Sequence, residues 1–273
     1  MIPAAFDYVR ARSVEHAFEA LAADEDSKLL AGGHSLIPLM KLRFARPSVL
    51  VDIGRLEELS YIREQGGYIA IGALTRHHGL ATSPVLQRDC PIVADAASTI
   101  GDPQVRHVGT IGGSIAHADP ASDLPTVMVA LGATFVIRGA GGDERLVEAG
   151  EFFQGLFTAD LAPTEILTEI RVPVTSAGWS FIKFTRRAQD WALVGVAAVA
   201  RADGVAIVLA NMGQTPIRAR AVEARLAEGD APARAAAQAD HDTAPPSDAF
   251  GDASYRRELA KVLVARAVTE ALS

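Results

Sequence analysis

Thr110-Ile111-Gly112-Gly113-Ser114-Ile115-Ala116-His117-Ala118-Asp119-Pro120-Ala121-Ser122-Asp123 is the stretch around which the chain is organised. It opens with paired glycines and closes on Asp123-Leu124-Pro125, which reads as the start of a helix. Hydroxyls, two bare glycine amides and a carboxylate fall close together, and such a loop can wrap a phosphate and a ribose. A second glycine pair lies upstream in Ala31-Gly32-Gly33-His34-Ser35. It stands between a strand expected over 28–31 and a helical turn that Ser35 can cap, running through Met40 and Lys41. Free amides point outward at such a junction, and the helix dipole favours an anion. Two such loops suit the two ends of one dinucleotide cofactor.

A glycine pair alone is weak evidence. Two others, Gly66-Gly67 and Gly141-Gly142, are read as hairpin turns. What distinguishes the first two is the company of His34 and Ser35 and of Thr110, Ser114 and Asp123. Asp123 can bond a ribose hydroxyl or cap the helix after it, and the spacing does not separate the two. No Gly-x-Gly-x-x-Gly follows a strand, and no phosphate loop ends in Gly-Lys-Ser/Thr. Dinucleotide binding here must use another fold than the Rossmann type.

The bulk numbers set outer limits. With 273 residues, 49% of them hydrophobic and 22% charged, the chain is long enough for one large domain or two modest ones. A net charge of −7 argues against a nucleic-acid partner. Cys90 is the single cysteine, in an apolar stretch before Pro91, and is expected to be a buried thiol. The chain alone cannot hold an iron–sulfur cluster, which needs about four protein ligands. No signal peptide is expected at the N-terminus, and the longest apolar run, 191–200, is too short to span a membrane. A cytoplasmic location is expected.

His34, His107 and His117 are not at metal-ligand spacing, so no metal site is expected, and no catalytic triad is visible. His77-His78 would diverge on a helix and are expected at the surface. Lys183, Arg186, Arg187 and Asp190 beside Trp191 are either a solvated strand end or a flap whose aromatic can cover a flat ring.

Strands and helices alternate in blocks. Strands are expected over 6–10, 28–31 and 49–53, hairpins over 61–71 and 133–147, and a strand over 165–172. Helices are expected from Ser13 to about Ala23, from Thr75, from Pro84 and Pro91 to about Ser98, and over 123–131. Three antiparallel strands follow over 178–185, 193–201 and 205–212, then alanine-rich helices from Ala219 and an amphipathic final helix over 252–272. The class is α+β, with a boundary near Thr175.

Taken together, these motifs resemble the FAD-binding medium subunit of the molybdenum hydroxylases, the group that includes xanthine dehydrogenase and aerobic carbon monoxide dehydrogenase. The resemblance is carried by Ala31-Gly32-Gly33-His34-Ser35-Leu36-Ile37-Pro38-Leu39-Met40-Lys41-Leu42-Arg43, by Gly101-Asp102-Pro103-Gln104-Val105-Arg106, by Gly109 to Ser114 with His117-Ala118-Asp119-Pro120, and by Ser254-Tyr255-Arg256-Arg257. It spans nearly the whole chain. It implies a vanillyl-alcohol-oxidase-like FAD-binding domain over 1–175, in subdomains of about 1–54 and 55–175, and a small C-terminal α+β domain over 176–273 with a three-stranded antiparallel sheet and helices.

The resemblance also implies a site. Ala31, Gly32, Gly33, His34, Ser35 and Leu36 would hold the FAD pyrophosphate. Thr110, Ile111, Gly112, Gly113 and Ser114 would hold the other side of the cofactor, and Asp123 its adenosine part. Leu161 and Lys183 match positions that line the flavin, and Trp191 matches an aromatic near its ring. Ser114 departs from the Asn or Asp of many relatives, and His107 from a common Asn. His117 stands where xanthine dehydrogenases have Thr, as in carbon monoxide dehydrogenase types.

The implied partners are a large molybdopterin subunit and a small subunit with two-iron, two-sulfur clusters, typically in a dimer of heterotrimers. FAD would pass electrons to quinone, NAD or another acceptor. The substrate, whether carbon monoxide, a purine, an N-heterocycle or an aldehyde, is not set by this chain. Two other functions stay open: a nucleotide-binding scaffold or regulatory subunit without flavin chemistry, and a stand-alone reductase like the one that reduces UDP-N-acetylenolpyruvoylglucosamine.

Overall fold

The structure is a computed structural model that describes all 273 residues. The first unit alternates strand and helix: β1 (Asp7–Arg10), α1 (Val14–Ala22), β2 (Lys28–Leu30), α2 (Leu36–Lys41) and β3 (Val49–Asp52). Ser13 caps α1 by accepting the His16 amide, as its residue type predicts. The strands form a parallel sheet in the order β1-β3-β2. Val14, Ala17, Phe18 and Leu21 of α1 bury one helix face against Val51 and Ile53. β2 is an edge strand of this sheet, and the chain runs from its end into the Gly32-Gly33 loop.

Next come the hairpin β4 (Ile62–Gln65) and β5 (Tyr68–Gly72) and five short helices: α3 (His77–Ala81), α4 (Pro84–Asp89), α5 (Pro91–Ser98), α6 (Pro103–Val108) and α7 (Ile111–His117). Proline opens α4, α5 and α6, where its missing N–H costs nothing. Two findings differ from the sequence expectation. Thr75 lies before α3 and its hydroxyl donates to the Tyr61 carbonyl. The stretch expected as an open loop at 110–123 contains α7, capped by the Thr110 hydroxyl on the Gly113 amide.

The buried helix α8 (Asp123–Leu131) leads into the second hairpin, β6 (Thr134–Arg138) and β7 (Glu144–Glu148). Then follow α9 (Ala149–Phe152), the small ladder of β8 (Phe153–Gly155) and β9 (Thr158–Ala159), and β10 (Ile166–Pro173). Strand β10 inserts between the two hairpins to give an antiparallel sheet in the order β4-β5-β10-β6-β7.

The last third holds β11 (Trp179–Phe184), β12 (Val194–Arg201), β13 (Gly204–Ala210) and a short β14 (Ile217–Arg218), then α10 (Arg220–Ala227), α11 (Pro232–Ala235) and α12 (Ala253–Ala271). The sheet is antiparallel and four-stranded, one short strand more than expected. Helix α12 buries Arg256, Ala260, Leu263, Val264, Ala267, Val268 and Ala271 along one stripe.

Helix α8 joins the parts. It is buried on nearly every side, from Asp123 to Met128 and again at Ala130 and Leu131. Leu124, Val127 and Met128 share one core with Ile71, Ile170, Ala197, Val199 and Val208, drawn from both antiparallel sheets. Each of the larger side chains contributes about 1.5–3 kcal/mol by leaving water. The Asn211 amide donates to the Pro120 carbonyl at 2.7 Å, and Arg201 of β12 caps the end of α8 at the Ala130 carbonyl.

At the far end Arg256 is almost wholly buried. It donates to the Leu193 carbonyl and to Asp248 at 2.6 Å, fastening α12 to the polar turn before it. Arg256→Ala removes a packed side chain and leaves the Leu193 carbonyl only the long contact from the Asn211 side-chain amide, at 3.4 Å. A loss of about 2–4 kcal/mol is expected in urea unfolding; a change within about 0.5 kcal/mol would contradict this role.

Candidate cofactor site

The two glycine loops meet. A Cβ placed on Gly32 would overlap the Val108 carbonyl, and it would lie 2.8 Å from the Gly109 Cα. Arg76 stitches the junction: one guanidinium nitrogen donates to the Val108 carbonyl and another to the Gly54 carbonyl at 3.2 Å. Thr110 bridges to Arg76, and the His77 amide donates to the Gly109 carbonyl at 3.1 Å. No sequence motif pointed to Arg76 or Gly54; only the fold brings them here.

In the first loop the amides of Gly32, Gly33, His34 and Ser35 donate to no group of the chain. Gly33 has φ +72°, a left-handed value that a side chain would strain. Consecutive free amides turned by such a residue form an anion-binding concavity. Ser35 does not cap α2 with its hydroxyl, so that group is also free of the helix. Ala31, Gly32, Gly33, Ser35 and Leu36 are half-buried and His34 is exposed.

The second loop is built otherwise. The Ile111 amide donates to Thr75, the Gly112 amide to Ala73 at 2.9 Å, and the Gly113 amide to the Thr110 hydroxyl at 3.1 Å. The expected bare amides at this pair are therefore committed within the chain. The two glycines have separate reasons. A Cβ on Gly112 would lie 2.6 Å from the Ala73 Cβ and 2.7 Å from its carbonyl, so this residue must be small for packing. Gly113 is exposed and meets only the Thr110 hydroxyl, at 2.8 Å. Ile111 turns its side chain into the core, and Ser114 is half-buried.

Asp123 begins α8 but caps nothing. Its Oδ2 accepts from Lys183 of β11 at 2.7 Å, and Lys183 also donates to the Thr99 carbonyl at 3.2 Å. Asp123 is 5% exposed and the Lys183 side chain 9%. The other oxygen, Oδ1, is buried with no partner. Burial raises the carboxyl above its ordinary range, and the Lys183 ammonium opposes that rise.

His117 ends α7. Its ring stacks at 5.0 Å on Phe157, a residue held at φ +53° in the β8–β9 turn. Burial lowers the His117 pKa. Leu161 is half-buried just past β9. Trp191 is 57% exposed on a segment whose Arg186 donates to the Ala249 and Phe250 carbonyls. The charged run therefore splits: Lys183 is interior, while Arg186 and Arg187 reach across to Phe250. Cys90 is fully buried, as expected, and burial pushes its thiol up to about 12.

These donors fit a dinucleotide. The four free amides suit a pyrophosphate, and the orphaned Asp123 oxygen suits a hydroxyl. Residues 4–175 match the family model for the FAD binding domain in molybdopterin dehydrogenase, and residues 179–271 match that for the CO dehydrogenase flavoprotein C-terminal domain. The fold and site thus define an FAD-binding oxidoreductase subunit of mixed helix and sheet.

The chain is 43% identical to the carbon monoxide dehydrogenase medium chain of Hydrogenophaga pseudoflava, over 99% of this chain and 98% of that one. It is 40% identical to the glyceraldehyde dehydrogenase medium chain of Sulfolobus acidocaldarius, over 99% of each. The solved structure of carbon monoxide dehydrogenase from Hydrogenophaga pseudoflava lacking the Mo-pyranopterin moiety superposes with TM-score 0.93 at 42% identity, covering 99% of this chain and 98% of that one. The chain belongs to the family of FAD-binding medium subunits of the molybdenum hydroxylases.

One residue near the site corrects the sequence expectation. His77 is buried, not superficial: it is 5% exposed, wedged against Gly109, and its Nδ1 has no partner. Its neighbour His78 stacks edge-on against His107 at 4.1 Å. Burial, with Arg76 and His34 nearby, pushes the His77 pKa down from 6.5 to about 4. The neutral ring is the native form. Above pH 6.5 its contribution to stability is fully present; as pH falls from there toward 4 the unfolded chain takes up a proton that the folded one refuses. About 3 kcal/mol is lost across the window. The urea midpoint is expected to fall over that range in the wild type and less steeply in His77→Gln. Equal slopes would contradict a buried neutral imidazole.

Proposed function

We propose that this chain holds FAD between its two glycine loops and serves as the electron outlet of a three-subunit enzyme. A small iron–sulfur subunit delivers electrons one at a time, and an external acceptor, quinone or NAD, takes them away. Substrate oxidation takes place on a large molybdopterin subunit. The single buried cysteine supports this division, since the chain has no thiolate set for a cluster. The similarity to medium chains of carbon monoxide and glyceraldehyde dehydrogenases supports it further.

Bound FAD supplies a carrier that accepts electrons singly and releases them singly or in pairs. The chain's own residues do the rest. The amides of Gly32 to Ser35 neutralise the pyrophosphate charge with no side chain in the way. Gly113 lets the second loop approach closely. Asp123 Oδ1 accepts a cofactor hydroxyl, and Lys183 fixes that carboxylate while placing a cation inside the cleft. Thr110, Ile111, Gly112 and Ser114 set the height of the second loop; Gly112 does so by its fit to Ala73. Leu161 and His117, backed by Phe157, form a wall for the flavin, and Trp191 covers its exposed side.

The fold is of the vanillyl-alcohol-oxidase-like type. Residues 1–175 form the FAD-binding domain, with a first subdomain of about 1–54 around the parallel sheet and a second of about 55–175 around the five-stranded sheet; residues 176–273 form the C-terminal domain. The assembly is a dimer of heterotrimers in the cytoplasm. No helix of the chain is long and apolar enough to cross a membrane.

The free amides of residues 32–35 carry this assignment. Acid release from the purified chain is expected to yield FAD. Gly113→Val is expected to keep the native circular dichroism and hold about a tenth or less of the wild-type flavin, whereas Gly112→Val unfolds, because its side chain meets Ala73. A colourless wild type that fails to take up added FAD would overturn the assignment and favour the scaffold function.

A further inference from the structure

Residues 41–46 read Lys-Leu-Arg-Phe-Ala-Arg and follow the amide loop across the six-residue helix α2, a span of about 9 Å. Lys41, Leu42, Arg43, Phe44 and Arg46 are all exposed. Phe44 is 81% exposed, more than any other phenylalanine of the chain, and Leu42 is 55% exposed. The segment is pinned rather than loose: the Phe44 and Ala45 amides both donate to the Leu39 carbonyl, at 2.9 and 3.3 Å. Arg43 sits at φ +68° just past the helix end, where glycine is the low-cost residue. Stability alone would favour glycine at 43 and a polar side chain at 44. The backbone instead bears strain to present an aromatic ring between two arginines.

The charge is equally local. The chain carries −7 overall, yet Lys41, Arg43 and Arg46 stand within six residues, and no acid follows until Asp52. None of the three pairs with a carboxylate of the chain. An exposed aromatic flanked by unpaired arginines is the composition of an interface anchor, and its complement is an acidic face with an apolar pocket.

We propose that Lys41–Arg46 is the docking surface for an acidic face of the iron–sulfur subunit, with Phe44 as the buried anchor. This rests on the electron-outlet function above. The electron donor must be another chain, because this one cannot ligate a cluster, and it must dock close to the cofactor, on whose pyrophosphate side the amide loop forms a rim. Residues 41–46 are the exposed apolar and cationic segment that leads directly from that rim.

The test uses the full-length chain loaded with FAD and the separately purified iron–sulfur subunit of its complex. Phe44→Asp is expected to weaken their association by about thirtyfold. Arg46→Glu weakens it less and flattens its dependence on salt. Flavin content per chain stays at the wild-type level in both, which also reports that they fold. Val262→Asp, at a 47% exposed position on α12, serves as the control and leaves the association unchanged. Wild-type association of Phe44→Asp with the iron–sulfur subunit would overturn the proposal. A wild-type chain that holds no FAD would instead overturn the electron-outlet function, and this docking surface with it.

Discussion

The ion pair between Asp123 and Lys183 ties the molecule together. Asp123 starts the helix that both antiparallel sheets pack against, and Lys183 comes from the first strand of the last sheet. Both are interior, at 5% and 9% exposure, so neither charge is screened by water. Removing one partner strands the other in a low-dielectric site, at a cost of about 3–5 kcal/mol. The pair therefore forms only when the C-terminal sheet is docked on α8. An unpaired Asp123 oxygen is left over in that dry setting, a costly state that a cofactor hydroxyl would relieve.

The glycines of the cleft show how much of a binding loop is internal engineering. Gly32 is small because the 108–109 segment lies against it, Gly33 because its φ is left-handed, and Gly112 because Ala73 fills the space. Gly113 alone faces outward with little around it. The two loops are thus not symmetrical jaws. The first offers free amides, and the second is a tightly bonded buttress that sets the width of the gap. Arg76, reaching both the Gly54 and Val108 carbonyls, fixes one against the other.

Local chemistry made much of this legible. Ser13 as a cap, Pro84 and Pro91 as helix starts, Gly66-Gly67 and Gly141-Gly142 as turns each act through neighbours in sequence, and each stands where the residue types require. The place of the first glycine pair, between β2 and α2, was legible for the same reason. Helix α7 was not, since two glycines lower helix propensity and the helix survives by packing Ile111 and Ile115 into the core. Helix α6 did carry its signal, Asp102 before Pro103, and the Asp102 side chain caps it. The burial of His77 and Arg256 depends on partners far along the chain: Gly109 for one, Leu193 for the other. No local pattern encodes such contacts. The fate of Asp123 was open between cap and ligand for the same reason, since Lys183 lies sixty residues away.

The most direct test is a titration of flavin-stripped, isotope-labelled chain with FAD, followed by the backbone amide resonances of Gly32, Gly33, His34 and Ser35. If these amides hold the pyrophosphate, all four shift together on binding and become protected from solvent exchange, while the already bonded amides of Ile111 and Gly112 change little. Saturable FAD binding that leaves the four resonances unmoved would contradict the assignment of the cradle.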